Sequence, residues 1–147
     1  MQISSRFTIA VHILTAIEYF QNDYKVTSQF LASSVNVNPV VIRRTLSQLK
    51  NAGLINVARG TGGATIARPL DQITLLDVFN AVDSIENDTL FHFHDNPNTN
   101  CPVGRNIHHG LDDKLQKVQD AMENELKAIT LADVVDDTEK YIAEEGK

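Results

Sequence analysis

Three arginines sit where their chemistry would matter. Arg43 and Arg44 are adjacent near the start of a helix-like run, and Arg59 opens the glycine-rich stretch Arg59-Gly60-Thr61-Gly62-Gly63. A guanidinium is planar and permanently charged, and its fork of N–H donors suits both phosphate oxygens and the acceptor edge of guanine. A second reactive group is the single cysteine, Cys101, which stands ahead of Pro102 at a predicted helix start. Unpaired backbone N–H groups and the helix dipole favour a thiolate there, and Arg105 one turn later adds to this. The alternative for Cys101 is a buried or incidental cysteine without a role. His92, His94, His108 and His109 are the other metal-capable side chains near it. His92 and His94 alternate as on an extended segment, whereas His108 and His109 diverge on a helix, so only one of that pair could join a given site. Scattered surface histidines, with no metal, are the expectation. No G-x-S-x-G elbow, paired metal-binding His motif or phosphate-cradling Walker loop occurs, since Gly60 to Gly63 lacks the following Lys-Ser/Thr. The expectation is that the protein is not an enzyme.

The elements that would hold the arginines are legible. Thr27 can cap a short helix in which Leu31, Ala32 and Val35 face inward, and Asn36 marks its turn. Asn38-Pro39 opens the next helix: Asn accepts backbone N–H bonds as an N-cap, and Pro lacks an N–H to leave unpaired at the first position. Ile42, Leu46 and Leu49 form its inward stripe, which leaves Val40, Arg43, Arg44, Ser47 and Asn51 mostly outside. Gly53 can close this helix in a left-handed cap. Two adjacent arginines on a helix that follows another by a tight turn is the layout of a helix-turn-helix recognition element. Residues 54–58 and 64–67 are strand-like around the glycine-rich turn and add a wing. The expected fold is mainly α with a small β-hairpin wing (α+β), a winged helix-turn-helix that binds DNA.

The rest of the chain supports that head. Ile3 to Phe20 reads as a first helix with Phe7, Val11, Leu14 and Ile17 on one face. Thr74 starts a short helix whose buried side is Leu75, Val78, Phe79 and Val82, with Asp77 placed for a capping box. Residues 84–102 read as a loop. From 103 to about 129, Ile107, Leu111, Leu115, Val118, Met122, Leu126 and Ile129 repeat close to a heptad. A lone helix of that length cannot bury its stripe on a small head, so it is expected to pair with its own copy in a homodimer. Thr130 with Asp133 begins a last helix, and residues 143–147 are expected to fray. The division read from this is 1–83 for the winged helix-turn-helix DNA-binding domain, 84–102 for a loop and candidate sensor segment, and 103–147 for the dimerisation and C-terminal helices.

Composition sets the outer bounds. The 147 residues suffice for one core, and the net charge of −6 divides unevenly. Residues 1–70 carry net +5 and residues 71–147 net −11; local phosphate neutralisation, not whole-chain charge, governs DNA affinity. No apolar run approaches ~18 residues, so no membrane span is expected. Met1 to Phe20 lacks a compact apolar h-region, so no signal peptide is expected. One cysteine excludes an intrachain disulfide and suits a reducing cytoplasm.

The chain as a whole resembles the Rrf2 family of bacterial winged-helix regulators. The resemblance is carried by Ser4-Ser5-Arg6-Phe7, by Asn38-Pro39-Val40-Val41-Ile42-Arg43-Arg44, and by Leu49-Lys50-Asn51-Ala52-Gly53-Leu54-Ile55. The wing Arg59 to Ala64, Asp77-Val78-Phe79-Asn80-Ala81-Val82 and Asn100-Cys101-Pro102-Val103-Gly104 complete the set. It implies a homodimer on a palindromic operator in double-stranded DNA, with the recognition helix in the major groove, and by analogy a repressor. Arg43 and Arg44 would then contact phosphates or guanine edges, and Val40 and Ser47 bases or the sugar–phosphate. Asn38 would belong to the same surface. Arg59 would enter the minor groove, where Gly60, Gly62 and Gly63 permit close approach. Thr27 and Ser28 would hold a phosphate. Ile107, Leu111, Leu115, Val118, Met122 and Leu126 would form the dimer interface. The sequence departs from the family's cluster-binding members, whose ligand run is C-x5-C-x5-C-x2-H. One thiolate cannot anchor such a site, so no iron–sulfur cluster or other cofactor is expected. Cys101 remains a candidate thiol sensor. Rival readings are a regulator with no sensor function and a winged helix reused for protein–protein contact.

Overall fold

The computed structural model describes residues 4–59, 62–83, 91 and 94–146. Its first helix, α1 (Ser5–Phe20), begins after Ser4, whose Oγ accepts from the backbone N–H of Arg6. It is the axis of the core: Ala10, Ile13, Leu14, Ala16 and Ile17 are all buried. Around it pack α2 (Ser28–Val35), α3 (Pro39–Asn51), α4 (Leu75–Val82) and α6 (Leu131–Glu145), with the wing strand β2 (Ala64–Ile66) against the same helix. Core side chains from these elements, among them Leu31, Ile42, Leu49, Val78, Leu131 and Val135, are nearly inaccessible. Each such burial contributes about 1.5–3 kcal/mol.

Local hydrogen bonding explains most helix ends. Thr27 Oγ1 accepts from Phe30 N, and α2 stops at Asn36, which adopts a left-handed φ of 62°. Asn38 Oδ1 accepts from Val40 N at 2.8 Å, with Pro39 at the first position of α3. At its far end Gly53 takes φ 77°, and Leu54 N donates to Leu49 O at 3.0 Å, a Schellman closure between two buried leucines. β1 (Ile55–Val57) and β2 then pair antiparallel, Ile55 opposite Ile66 and Val57 opposite Ala64. Two bonds moor this hairpin to the head. Ala64 N donates to Val26 O at 2.9 Å, and Ile66 N to Gln21 Oε1 at 3.0 Å.

A 3-10 turn, Leu70–Gln72, which the sequence pattern did not announce, leads into α4. Both expected capping boxes form, at Thr74 with Asp77 and at Thr130 with Asp133. They also meet: Thr74 and Thr130 make an isolated antiparallel bridge, so α4 and α6 start side by side. Arg6 Nε lies 3.7 Å from Asp83 Oδ1 and joins the beginning of α1 to the end of α4. Burial pushes the Asp83 carboxyl up against the pull of that guanidinium.

The long helix α5 (Pro102–Ala128) behaves differently. Of its 27 residues only Gln119 is buried, and it packs chiefly against α4. Ile107, Leu111, Leu115, Met122 and Leu126 are half-buried, and Val118 is 52% exposed. One expectation needs correction. α1 begins at Ser5 rather than Ile3, with Ser4 as its cap. At the C-terminal end α6 continues to Glu145 and Gly146 N donates to Ala143 O, and Lys147 lies outside the described residues. Ala and Glu are strong helix formers and make up that last turn.

Candidate nucleic-acid interface

α3 turns one face to the protein and the opposite one outward. Ile42, Thr45, Leu46 and Leu49 are buried, whereas Arg43, Arg44, Ser47 and Asn51 are exposed and Val40 is 53% exposed. Val40, Arg44, Ser47 and Asn51 recur at helical spacing and make one outer ridge; Arg43 and Lys50 lie beside it. Lys50, in the last turn of α3, was not singled out in the sequence, because a lone lysine on a polar face carries no signal of what it borders.

The wing stands next to this face. Arg59 is exposed at the end of β1, and Gly62 is exposed across the turn. Gly60 falls outside the described residues. Gly63 adopts φ 79°, and a Cβ there would lie 2.7 Å from Val26 N. The wing therefore rests directly on the backbone that leads into α2. Thr27, Ser28, Arg43, Ser47 and Lys50 all border the groove between that entry, α3 and the wing. Thr27 and Asn38 have a side-chain oxygen committed to capping. The structure thus brings Thr27, Ser28, Arg43, Ser47 and Gly63, of the sequence-selected residues, to one groove.

Cys101 lies elsewhere. It is fully exposed at the N-cap of α5, whose other end is held at the Thr74–Thr130 bridge. At 1.5 Å per residue the helix puts about 40 Å between the two. Backbone N–H groups of Gly104 and Val103 hold the thiol below its ordinary pKa. The loop before it is closely fitted: Cys101 N donates to Asn98 O at 3.1 Å, and Arg105 Nη1 to Thr99 O at 3.2 Å. His108 Nδ1 pairs with Asp112 at 3.2 Å, His94 and His109 are exposed, and His92 lies outside the described residues.

An exposed basic recognition helix beside a two-stranded wing defines a winged helix-turn-helix protein. Residues 3–137 match the Rrf2 family, described as iron-dependent transcriptional regulators, and the chain belongs to that family. It is 44% identical over 133 residues to Bacillus subtilis YwnA, which bears the name of an HTH-type transcriptional regulator, covering 90% of this chain and 96% of that protein. The fold is shared with T. potens IscR, at 20% identity and TM-score 0.67 over 96% of this chain and 90% of that one. It is also shared with CymR, the global cysteine regulator of B. subtilis, at 18% identity and TM-score 0.68 over 92% and 97%. The family is one of transcriptional regulators rather than enzymes.

For the iron that the family description names, Cys101 is the one thiol in the sequence. Among the described residues no three His, Cys, Asp or Glu side chains converge as a metal site requires. No helix among them is long and apolar enough to cross a membrane.

Proposed function

We propose that the protein is a homodimeric, sequence-specific DNA-binding regulator, a repressor acting at a palindromic operator without an iron–sulfur cluster. The observation that carries this reading is the exposed Arg43–Arg44 face of α3 lying beside the Arg59-bearing wing. α3 enters the major groove, where Arg43, Arg44, Val40 and Ser47 meet bases and phosphates, and Arg59 enters the minor groove, with Gly60, Gly62 and Gly63 permitting close approach. Thr27, Ser28 and Asn38 border the phosphate backbone. Dimerisation follows from the half-covered seam Ile107, Leu111, Leu115, Val118, Met122 and Leu126, whose spacing suits a second copy of α5. Binding to the protein's own upstream DNA is measured by gel shift over a salt series. Wild type shifts it with steep salt dependence, and Arg43→Ala/Arg44→Ala abolishes the shift. An intact dimer that shifts no DNA supports the protein–protein module instead.

A thiol-responsive form of this regulator is favoured by the exposed, acidified Cys101. With one cysteine in the chain, oxidation to a disulfide must join Cys101 to a thiol of another molecule. Diamide then removes the shift, reductant restores it, and Cys101→Ser is indifferent to both. A shift that ignores oxidant retires the sensor and leaves DNA binding standing.

A further inference from the structure

Between the entry to α2, the wing and α3 runs a groove of about 360 Å³. Among the described residues, two cations, Arg43 and Lys50, and three hydroxyls, Thr27, Ser28 and Ser47, line it, and no carboxylate does. Arg43, Ser47 and Lys50 are four and three residues apart, so they form one stripe two turns long on the groove side of α3. Among the described residues neither cation makes an ion pair. Arg44 and Val40 are not part of the wall. A concave site with two uncompensated cations, hydroxyl donors and no acid is suited to a tetrahedral oxyanion.

We infer that this groove is a seat for a single phosphate group, with Lys50 as its clamp. Resting on the DNA-binding reading, its occupant in the complex is a backbone phosphodiester, and the bases are left to the Arg44–Val40 ridge. A free phosphate or phosphate ester has the same chemistry and takes the same seat.

The test has two arms. In the first, fluorescence anisotropy follows labelled upstream DNA and a random duplex over a KCl series, for wild type, Lys50→Gln, Lys50→Arg, Lys140→Gln and Arg44→Ala. Lys50→Gln lowers the slope of log K against log salt by about 0.9, the value for one phosphate contact. It weakens both duplexes alike, Lys50→Arg restores binding, and Lys140→Gln, at an exposed position of α6, matches wild type. In the second arm, inorganic phosphate is added without DNA at constant ionic strength, and the melting temperature of wild type rises while that of Lys50→Gln does not. A lowered slope with no response to free phosphate assigns the seat to DNA alone. A Lys50-dependent phosphate response from a wild type that binds no DNA keeps the seat and overturns the DNA reading. Lys50→Gln behaving as wild type in both arms overturns the seat. An Arg44→Ala variant that keeps full discrimination between upstream and random DNA overturns the division of labour.

Discussion

Replacing Gly63 and Gly53 by alanine, one at a time, separates backbone strain from steric seating. The two glycines share nearly the same left-handed backbone, φ 79° and 77°, but not the same surroundings. At Gly53 an added Cβ meets nothing within 4 Å. The cost there is conformational: about 1–2 kcal/mol for an L-residue in that region, offset by about 0.4–1 kcal/mol from a stiffer unfolded chain. Gly53→Ala should therefore lose about 0–1.6 kcal/mol, centred near 1. At Gly63 the same Cβ lies 2.7 Å from Val26 N, 3.1 Å from Val26 O and 3.2 Å from Lys25 C. These are backbone atoms and cannot swing away, so the wing must shift. The shift strains Ala64 N to Val26 O (2.9 Å) and Ala58 N to Gly63 O (3.0 Å). Losing one or both adds about 1–2 kcal/mol, for a total near 2–3 kcal/mol, or roughly 5–10 °C in Tm for a chain of this size. The displaced wing also carries Arg59, so Gly63→Ala should lose DNA affinity where Gly53→Ala keeps it. Thermal unfolding at one fixed protein concentration, with anisotropy on the upstream DNA, reads both effects. Equal stability of the two variants would refute the seating of the wing on Val26.

On α5, Leu115→Lys puts a charge into the seam and should weaken the dimer by at least about 2 kcal/mol, roughly 30-fold. Sedimentation at low micromolar concentration then gives monomer, and an undiminished dimer would disprove the proposed interface. Glu18 has its carboxyl pKa raised above 4.5 by burial and by Glu139 facing it from α6. The native state thus holds that proton more tightly than the unfolded chain, and stability falls as pH climbs from 4.5 through the raised value. Glu18→Gln should match wild type below 4.5 and exceed it at neutral pH, and urea titrations with parallel pH profiles would reject this. For Cys101, the N–H groups of Gly104 and Val103 should move the pH midpoint of alkylation below the ~8.5 of a free thiol. An iodoacetamide rate profile coinciding with that of a short cysteine peptide would contradict it.

The sequence alone determined what hydrogen bonds within a few residues decide. Asn38-Pro39, Gly53 and the Thr74–Asp77 and Thr130–Asp133 boxes set helix ends through contacts at most five residues apart, and all formed as expected. Periodicity likewise assigned the inward stripe Ile42, Leu46 and Leu49, since a helix fixes which side chains share a face. Periodicity does not say what that face will meet. Only the packed structure showed Gly63 resting on Val26, Thr74 bridged to Thr130, and Glu18 beside Glu139. Only there did Lys50 become part of a groove wall, because the other walls come from the entry to α2 and from the wing. Such contacts join segments tens of residues apart and follow from how several apolar faces close on α1 at once, a condition no local stretch of sequence contains.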